Sequence, residues 1–235
     1  MTVGRNPICI ALDTPDLDRA GSLARSLKPH AGYIKIGIEL FYAHGPKGYE
    51  RIAAEGLPVF LDLKLHDIPN TVASAISALM KLSPPPAIVN IHATGGLDMM
   101  KAARDAVGTR AKLIAVTILT SLSDSDIRAA GFDPARNTRD HARSLAELAR
   151  KAGLDGVVCS ADDVAGIRQA MGNDFLTVVP GIRLEDSATQ DQKRVATPAA
   201  AIAAGADILV IGRAITGAAD PAFAAKTILA GCHAR

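Results

Sequence analysis

The sequence predicts an α/β protein folded as a (β/α)8 (TIM) barrel, one domain over residues 1–235. Three observations lead there. Eight short runs rich in Ile, Val and Leu recur along the chain. The stretches between them carry apolar residues at helical spacing. The length of 235 residues falls in the compact range for eight βα units. An open doubly wound sheet is the competing architecture. Its Gly-x-Gly-x-x-Gly turn after the first strand is missing, because that strand runs into Ala11-Leu12-Asp13-Thr14-Pro15.

The strands are expected near 7–13, 32–37, 58–65, 87–92, 112–119, 155–160, 175–180 and 207–212. After the first, Leu17, Ala20, Leu23, Ala24 and Leu27 form one apolar helical stripe. Val72, Ala75, Ile76 and Leu79 form another after the third strand. Leu145, Leu148 and Ala149 belong to a third, with Thr138 as its start signal and Gly153 as its stop. Ser83-Pro84-Pro85-Pro86 reads as a stiff connector into the fourth strand. The segment 181–197 is long, polar and aperiodic, and it follows the seventh strand. Connections of that length more often serve as lids or binding loops than as plain linkers, although a merely solvated loop is the other reading.

Composition narrows the function. Hydrophobic residues at 49% and charged residues at 21% allow a sizeable buried core and exclude a disordered chain. A formal net charge of +2 lacks the basic excess of a dedicated nucleic-acid binder. Cys9, Cys159 and Cys232 form neither a CxxC pair nor a disulfide framework, which suits a reducing cytosol. Residues 1–7 hold no apolar signal region. The stretch 199–219 is interrupted by Asp207, Arg213 and several glycines, so no membrane span is expected there. A soluble cytoplasmic protein with a small-molecule ligand is therefore expected, without nucleic-acid or membrane partners.

A barrel of this kind carries its active site at the C-terminal ends of the strands. The polar residues there are Asp13 on the first strand, Lys35 on the second, Asp62, Lys64 and then Asp67 on the third, and Asn90 and His92 on the fourth. The third strand is the sharpest case. In Val59-Phe60-Leu61-Asp62-Leu63-Lys64-Leu65, alternation puts Asp62 and Lys64 on one face and the aliphatic residues on the other. The aliphatic face packs on the helical layer, so the two charges enter the barrel mouth, where charge is costly unless paired or used. A buried ion pair that only sets register is the bland alternative. On the eighth strand, Gly212-Arg213 suits a phosphate, because glycine admits close backbone approach and arginine recognises phosphate oxygens; a surface arginine is the bland alternative. His66 and His92 lack the spacing of a metal site, so no metal is expected. Cys159 sits in an apolar run and reads as core, and Ser121 and Ser123 lack a Gly-x-Ser-x-Gly setting.

Taken in chain order, these segments resemble the orotidine 5′-phosphate decarboxylase family. The most specific is Phe60-Leu61-Asp62-Leu63-Lys64-Leu65-His66-Asp67-Ile68-Pro69-Asn70-Thr71. It is joined by Ala11-Leu12-Asp13, Lys35-Ile36-Gly37 with Glu39, Asn90-Ile91-His92-Ala93 and Val116 to Ser121. Pro180-Gly181-Ile182-Arg183, Asp191-Gln192 and Val210-Ile211-Gly212-Arg213 complete the set. Two positions depart from the family pattern: Gln190 stands where a glycine often precedes Asp-Gln, and Leu184 where a proline often follows Gly-Ile-Arg.

The resemblance implies a homodimeric barrel that uses no metal or cofactor and converts orotidine 5′-phosphate to uridine 5′-phosphate and CO2. It also implies roles. Lys35, Asp62 and Lys64 would form a charged array at the pyrimidine, with Asp67 joining from the partner subunit and Lys64 donating the proton to C6. Asp13 would bind the ribose hydroxyl, Thr71 would reach the ribose across the dimer, and Thr120 would lie near the base. Arg183, Gln192, Gly212 and Arg213 would hold the phosphate side. Three rivals are distinguishable. A Mg2+-dependent lyase acting on a 3-keto-hexulose 6-phosphate resembles the Asp62-x-Lys64-x-x-Asp67 pattern but carries an acid where Lys35 stands. A Schiff-base aldolase would use Lys64 as its amine. A non-catalytic nucleotide-phosphate sensor would not need the alternating charges.

Overall fold

The computed structural model describes residues 6–183 and 196–233. Eight parallel strands close into a barrel in sequence order, with β1 paired to both β2 and β8. The elements run β1 (Ile8–Ala11), α1 (Leu17–Leu27), β2 (Tyr33–Gly37), α2 (Ile38–Ala53), β3 (Val59–Leu65), α3 (Pro69–Leu79), β4 (Ile88–His92) and α4 (Gly96–Val107). They continue β5 (Lys112–Val116), α5 (Asp124–Ala129), α6 (Thr138–Lys151), β6 (Gly156–Val158), α7 (Ala161–Met171), β7 (Leu176–Val179), α8 (Pro198–Ala203), β8 (Ile208–Ile211), α9 (Arg213–Thr216) and α10 (Pro221–His233). All eight expected strands are present, each a little shorter than the apolar run that announced it. The largest difference at a single end is in β5, which stops at Val116. There Thr117 turns its amide and hydroxyl to the Val158 carbonyl, at 3.1 and 3.0 Å, and the following residues leave the sheet.

Strand alternation divides the core in two. Cys9, Ala11, Tyr33, Phe60, Ile88, Ile114, Val178, Ile208 and Val210 fill the barrel interior as one buried cluster. Their neighbours in sequence, such as Ile8, Ile10, Ile34, Leu61, Val89 and Leu209, join the larger cluster beneath the helices. Each fully buried aliphatic side chain contributes roughly 1.5–3 kcal/mol, so this layering dominates the stability of the fold.

The helices start where their capping chemistry allows. Asp16 accepts from the amides of Asp18 and Arg19 and opens α1, whose Ala20, Ala24 and Leu27 are buried. Pro69 opens α3, which buries Val72, Ile76 and Leu79. For α6 the start signal is displaced by one residue: Asn137, not Thr138, is the cap, accepting from the Asp140 amide. Ser123 and Asp126 form a capping box at α5.

At the N-terminal end of the barrel one clamp occurs twice. Ala152-Gly153-Leu154-Asp155 precedes β6, and Ala204-Gly205-Ala206-Asp207 precedes β8. Both glycines have positive φ, 79° and 102°, a region glycine enters without strain. Each aspartate then bonds a backbone amide of the preceding strand and an arginine of a helix. Asp155 accepts from Leu113 N (2.8 Å) and Arg104 (2.6 Å), and Asp207 from Thr177 N (2.8 Å) and Arg168 (2.6 Å). Burial would raise the Asp155 pKa, but its bonds to Lys112, the Leu113 amide and Arg104 hold it below the usual carboxylate range. These clamps lie opposite the mouth and belong to the architecture. Among the described residues, no helix is long and apolar enough to cross a membrane.

Candidate active site

The mouth of the barrel holds a cavity of about 390 Å3. Asp13, Lys35, Asp62, Lys64, Thr120, Arg183, Gly212 and Arg213 all line it. Asp67 and Thr71 do not, and Gln192 lies outside the described residues, as do Leu184 and Gln190.

Four charges stand in a row across this cavity. Lys35 Nζ lies 2.7 Å from Asp13 Oδ1 and 3.4 Å from Asp62 Oδ2. The other oxygen of Asp62 accepts from Lys64 Nζ at 2.7 Å and from the Asn90 amide at 2.7 Å. Lys35 and Asp62 are buried, at 8% and 7% exposure, while Asp13 and Lys64 reach the solvent side of the row. Burying an ion costs several kcal/mol even after relaxation, so the alternation of sign is what makes the row tenable. Burial pushes the Lys35 pKa down, but the charges of Asp62 and Asp13 more than offset it and leave it raised. Burial pushes the Asp62 pKa up, but Lys35, Lys64 and Asn90 together leave it lowered. Both groups are thus held charged.

The sequence alternation puts Asp62 and Lys64 on one face, and they are there, but the backbone route differs from a regular strand. The β3–β4 register pairs Leu61 with Val89 and then Leu65 with Ile91. Lys64 has φ = 52° and is the one non-glycine residue at positive φ among those described. Bulges of this kind re-aim a side chain beside active sites. The Lys64 amide, turned out of the ladder, donates to Asn90 Oδ1 at 2.8 Å.

Asp67 is the member of the expected array that its own chain does not bring in. Its carboxylate accepts from the next amide, Ile68 N, at 2.6 Å. It lies on a run of exposed residues, 66–71, that includes Thr71. In this chain Asp13 takes the end of the row.

Two residues that matter to the row went without a role at the sequence level. Asn90 bonds both Asp62 and Lys64 and is buried, at 1% exposure. Gly37 faces the same way as Lys35, and a Cβ there would sit 3.0 Å from Lys35 Nζ and 3.4 Å from Asp13 Oδ1. The Lys35-x-Gly37 spacing was a readable signal for it, because residues two apart on a strand share a face.

The rim next to Asp13 is built by the ends of β7 and β8. The ends of the 181–197 connection are pinned together, with Arg183 N donating to Ala196 O at 2.9 Å and Ala196 N to Gly181 O at 3.3 Å. Arg183 and Arg213 therefore enter the same cavity as the charged row. Closure of the barrel also sets Gly212 against Asp13, since a Cβ at Gly212 would lie 3.5 Å from Asp13 Oδ2. His66 and His92 have ring centroids 5.5 Å apart and do not line the cavity. Burial and the nearby His66 and Lys64 charges lower the His92 pKa. Among the described residues, no three His, Cys, Asp or Glu side chains converge on a metal position. Cys159 is buried at the end of β6.

A charged row and two arginines lining one cavity suit an anionic substrate that is held at one end and polarised at the other. Comparison with known proteins decides the family. Residues 6–228 match the model of the orotidine 5′-phosphate decarboxylase / HUMPS family. The chain belongs to that family. An orotidine 5′-phosphate decarboxylase of Rhodospirillum rubrum is 51% identical, covering 95% of this chain and 93% of its own. That of Novosphingobium aromaticivorans is also 51% identical, covering 95% and 97%. The crystal structure of orotidine 5′-phosphate decarboxylase from Lactobacillus acidophilus superposes with a TM-score of 0.84 at 37% identity, covering 97% of this chain and all of that one. The orotidine 5′-phosphate decarboxylase / HUMPS barrel is thus the frame on which the row, the bulge and the two rim arginines are mounted.

Proposed function

We propose that this chain decarboxylates orotidine 5′-phosphate to uridine 5′-phosphate and CO2, the last step of UMP synthesis, as a cytoplasmic homodimer without metal or cofactor. The observation that carries this reading is the Asp13–Lys35–Asp62–Lys64 row in a cavity shared with Arg183 and Arg213. When the bond from C6 to the carboxylate breaks, its electron pair stays on C6, in the plane of the ring, where the π system cannot take it up. A fixed positive charge beside C6 is the remaining means of stabilisation. Lys64 supplies it and then transfers its proton to C6; water returns a proton to the amine. The attraction between Lys64 and C6 grows as CO2 leaves, so it favours the transition state over bound substrate. Asp62 aims the Lys64 ammonium, and Lys35 balances Asp62. Asp13 binds a ribose hydroxyl, Thr120 lies at the base, and Arg183, Gln192, Gly212 and Arg213 hold the phosphate.

Lys35 also separates this reading from the Mg2+-dependent lyase, because an ammonium repels the cation that an acid there would bind. The test is incubation with orotidine 5′-phosphate in excess EDTA, followed by ultraviolet absorbance. Turnover that survives chelation is the expected result. A requirement for Mg2+ would favour the lyase, and binding without turnover would favour a sensor.

Asp67 and Thr71 act from the partner subunit in this proposal. Support comes from their absence from their own cavity and from their place on an exposed run with Ile68, 66% exposed. Mixed dimers test it. Lys64→Ala and Asp67→Asn chains, each inactive alone, should regain about half the activity of the parent in a mixed dimer, because one of its two sites then holds both native groups. No recovery on mixing would place Asp67 in its own chain's site. The three cysteines are not joined in disulfides, which is consistent with a cytoplasmic setting.

A further inference from the structure

Asn90 stands where β4 has one residue facing three of β3. Between the Leu61–Val89 and Leu65–Ile91 pairs, β3 runs through Asp62, Leu63 and Lys64, while β4 has Asn90 alone. A regular ladder cannot continue through such a mismatch, and a side chain completes it instead. Asn90 Oδ1 accepts from Lys64 N at 2.8 Å and Asn90 Nδ2 donates to Asp62 Oδ1 at 2.7 Å. Its orientation is fixed by chemistry: the Lys64 amide can only donate and the Asp62 carboxylate can only accept, so the Asn90 amide has one way round. The same Asp62 oxygen receives Lys64 Nζ at 2.7 Å. One buried amide thus grips the backbone that bears the Lys64 ammonium and the carboxylate that aims it.

We propose that Asn90 is a positioning residue for the reaction. It holds the β3 bulge, keeps Lys64 in its left-handed backbone conformation, and fixes the oxygen of Asp62 against which the ammonium is set. The inference deepens the decarboxylase reading and rests on it for its kinetic consequence. It assigns Asn90 no contact with substrate. Its effect belongs in the chemical step, because misplacing a reacting group by about 1 Å can cost roughly 10²-fold in rate.

The test uses the full chain with Asn90→Ala and Asn90→Asp. Asn90→Ala should lower kcat about 10²-fold, while affinity for uridine 5′-phosphate stays within about threefold. Asn90→Asp, of nearly the same shape, keeps the acceptor for Lys64 N but sets a carboxylate against Asp62. Two carboxylates sharing a site raise the pKa of one of them, against the lowering by the Lys35 and Lys64 charges, so acidification should place one proton between the pair and restore a donor to Asp62. The activity of Asn90→Asp relative to the parent should therefore climb as pH falls, whereas that of Asn90→Ala should stay level. Amide hydrogen exchange at Lys64, read by NMR without substrate, should quicken at least about 10²-fold in Asn90→Ala.

An Asn90→Ala enzyme with parental kcat would overturn the proposal. So would an equal loss of kcat and product affinity, parallel pH profiles for the two variants, or unchanged exchange at Lys64. If the parent itself releases no CO2 from orotidine 5′-phosphate, the decarboxylase reading fails and the exchange rates alone decide the role of Asn90. If Asn90→Ala does not fold, the pH profile and exchange of Asn90→Asp decide it.

Discussion

Lys64→Ala is expected to stop turnover while the protein still folds and still binds uridine 5′-phosphate. The electrostatic and proton-transfer contributions of a single group are each about 10²–10⁴-fold, and Lys64 is assigned both, so a loss of at least about four orders of magnitude in kcat is the predicted size. Asp62 cannot make up the difference. Its repulsion of a substrate carboxylate at about 4 Å is on the order of 4 kcal/mol at an effective dielectric near 20. Full release of that energy gives roughly three orders of magnitude, against the 8–23 kcal/mol or so that enzymes commonly supply. The fold should survive, because Asp62 keeps Lys35 at 3.4 Å and the Asn90 amide at 2.7 Å, and the Lys64 side chain is one-third exposed. Product affinity should change by less than about tenfold, since the lost interaction develops only as CO2 leaves. The measurements are single-turnover decarboxylation, calorimetric product binding and thermal unfolding. Decarboxylation within about a hundredfold of the parent would remove Lys64 from the centre of the mechanism.

Arg213→Ala is the second large effect. Arg213 heads α9 at the end of β8 and lies exposed on the rim of the cavity that holds the row. Truncating one member of a charge-assisted pair costs about 2–5 kcal/mol, so kcat/KM for orotidine 5′-phosphate should fall by about 30- to 5,000-fold. Phosphate binding energy is used to orient and enclose the reacting end, so kcat should suffer as well as KM. Orotidine, which lacks the phosphate, discriminates. The parent and Arg213→Ala should turn it over at the same low rate, because neither has a phosphate to grip. An unchanged kcat/KM for the phosphorylated substrate, or an equal loss with orotidine, would refute the role.

Much of the site was legible because it depends on period-two geometry within single strands. Val59 to Leu65 announces its two faces by itself, and Asp62 and Lys64 could point only into the mouth once Leu61 and Leu63 were committed to the helices. The same alternation sets Gly37 on the face of Lys35. Helix starts were less secure: Thr138 and Asn137 are both capable caps, and only the turn geometry selects the asparagine.

The sequence by itself determined the number and succession of the strands, the burial of alternate residues and the presence of charged residues at the strand ends, because each follows from the local backbone and from the cost of burying charge. Only the tertiary structure decided that Asp13 closes the row, that Asn90 spans the bulge, and that the ends of β7 and β8 bring Arg183 and Arg213 to one cavity with Asp13. Those outcomes depend on which residue faces which across neighbouring strands and on closure of β8 against β1. Cross-strand register is a non-local quantity, set by packing the whole barrel at once, and no periodicity within one segment encodes it.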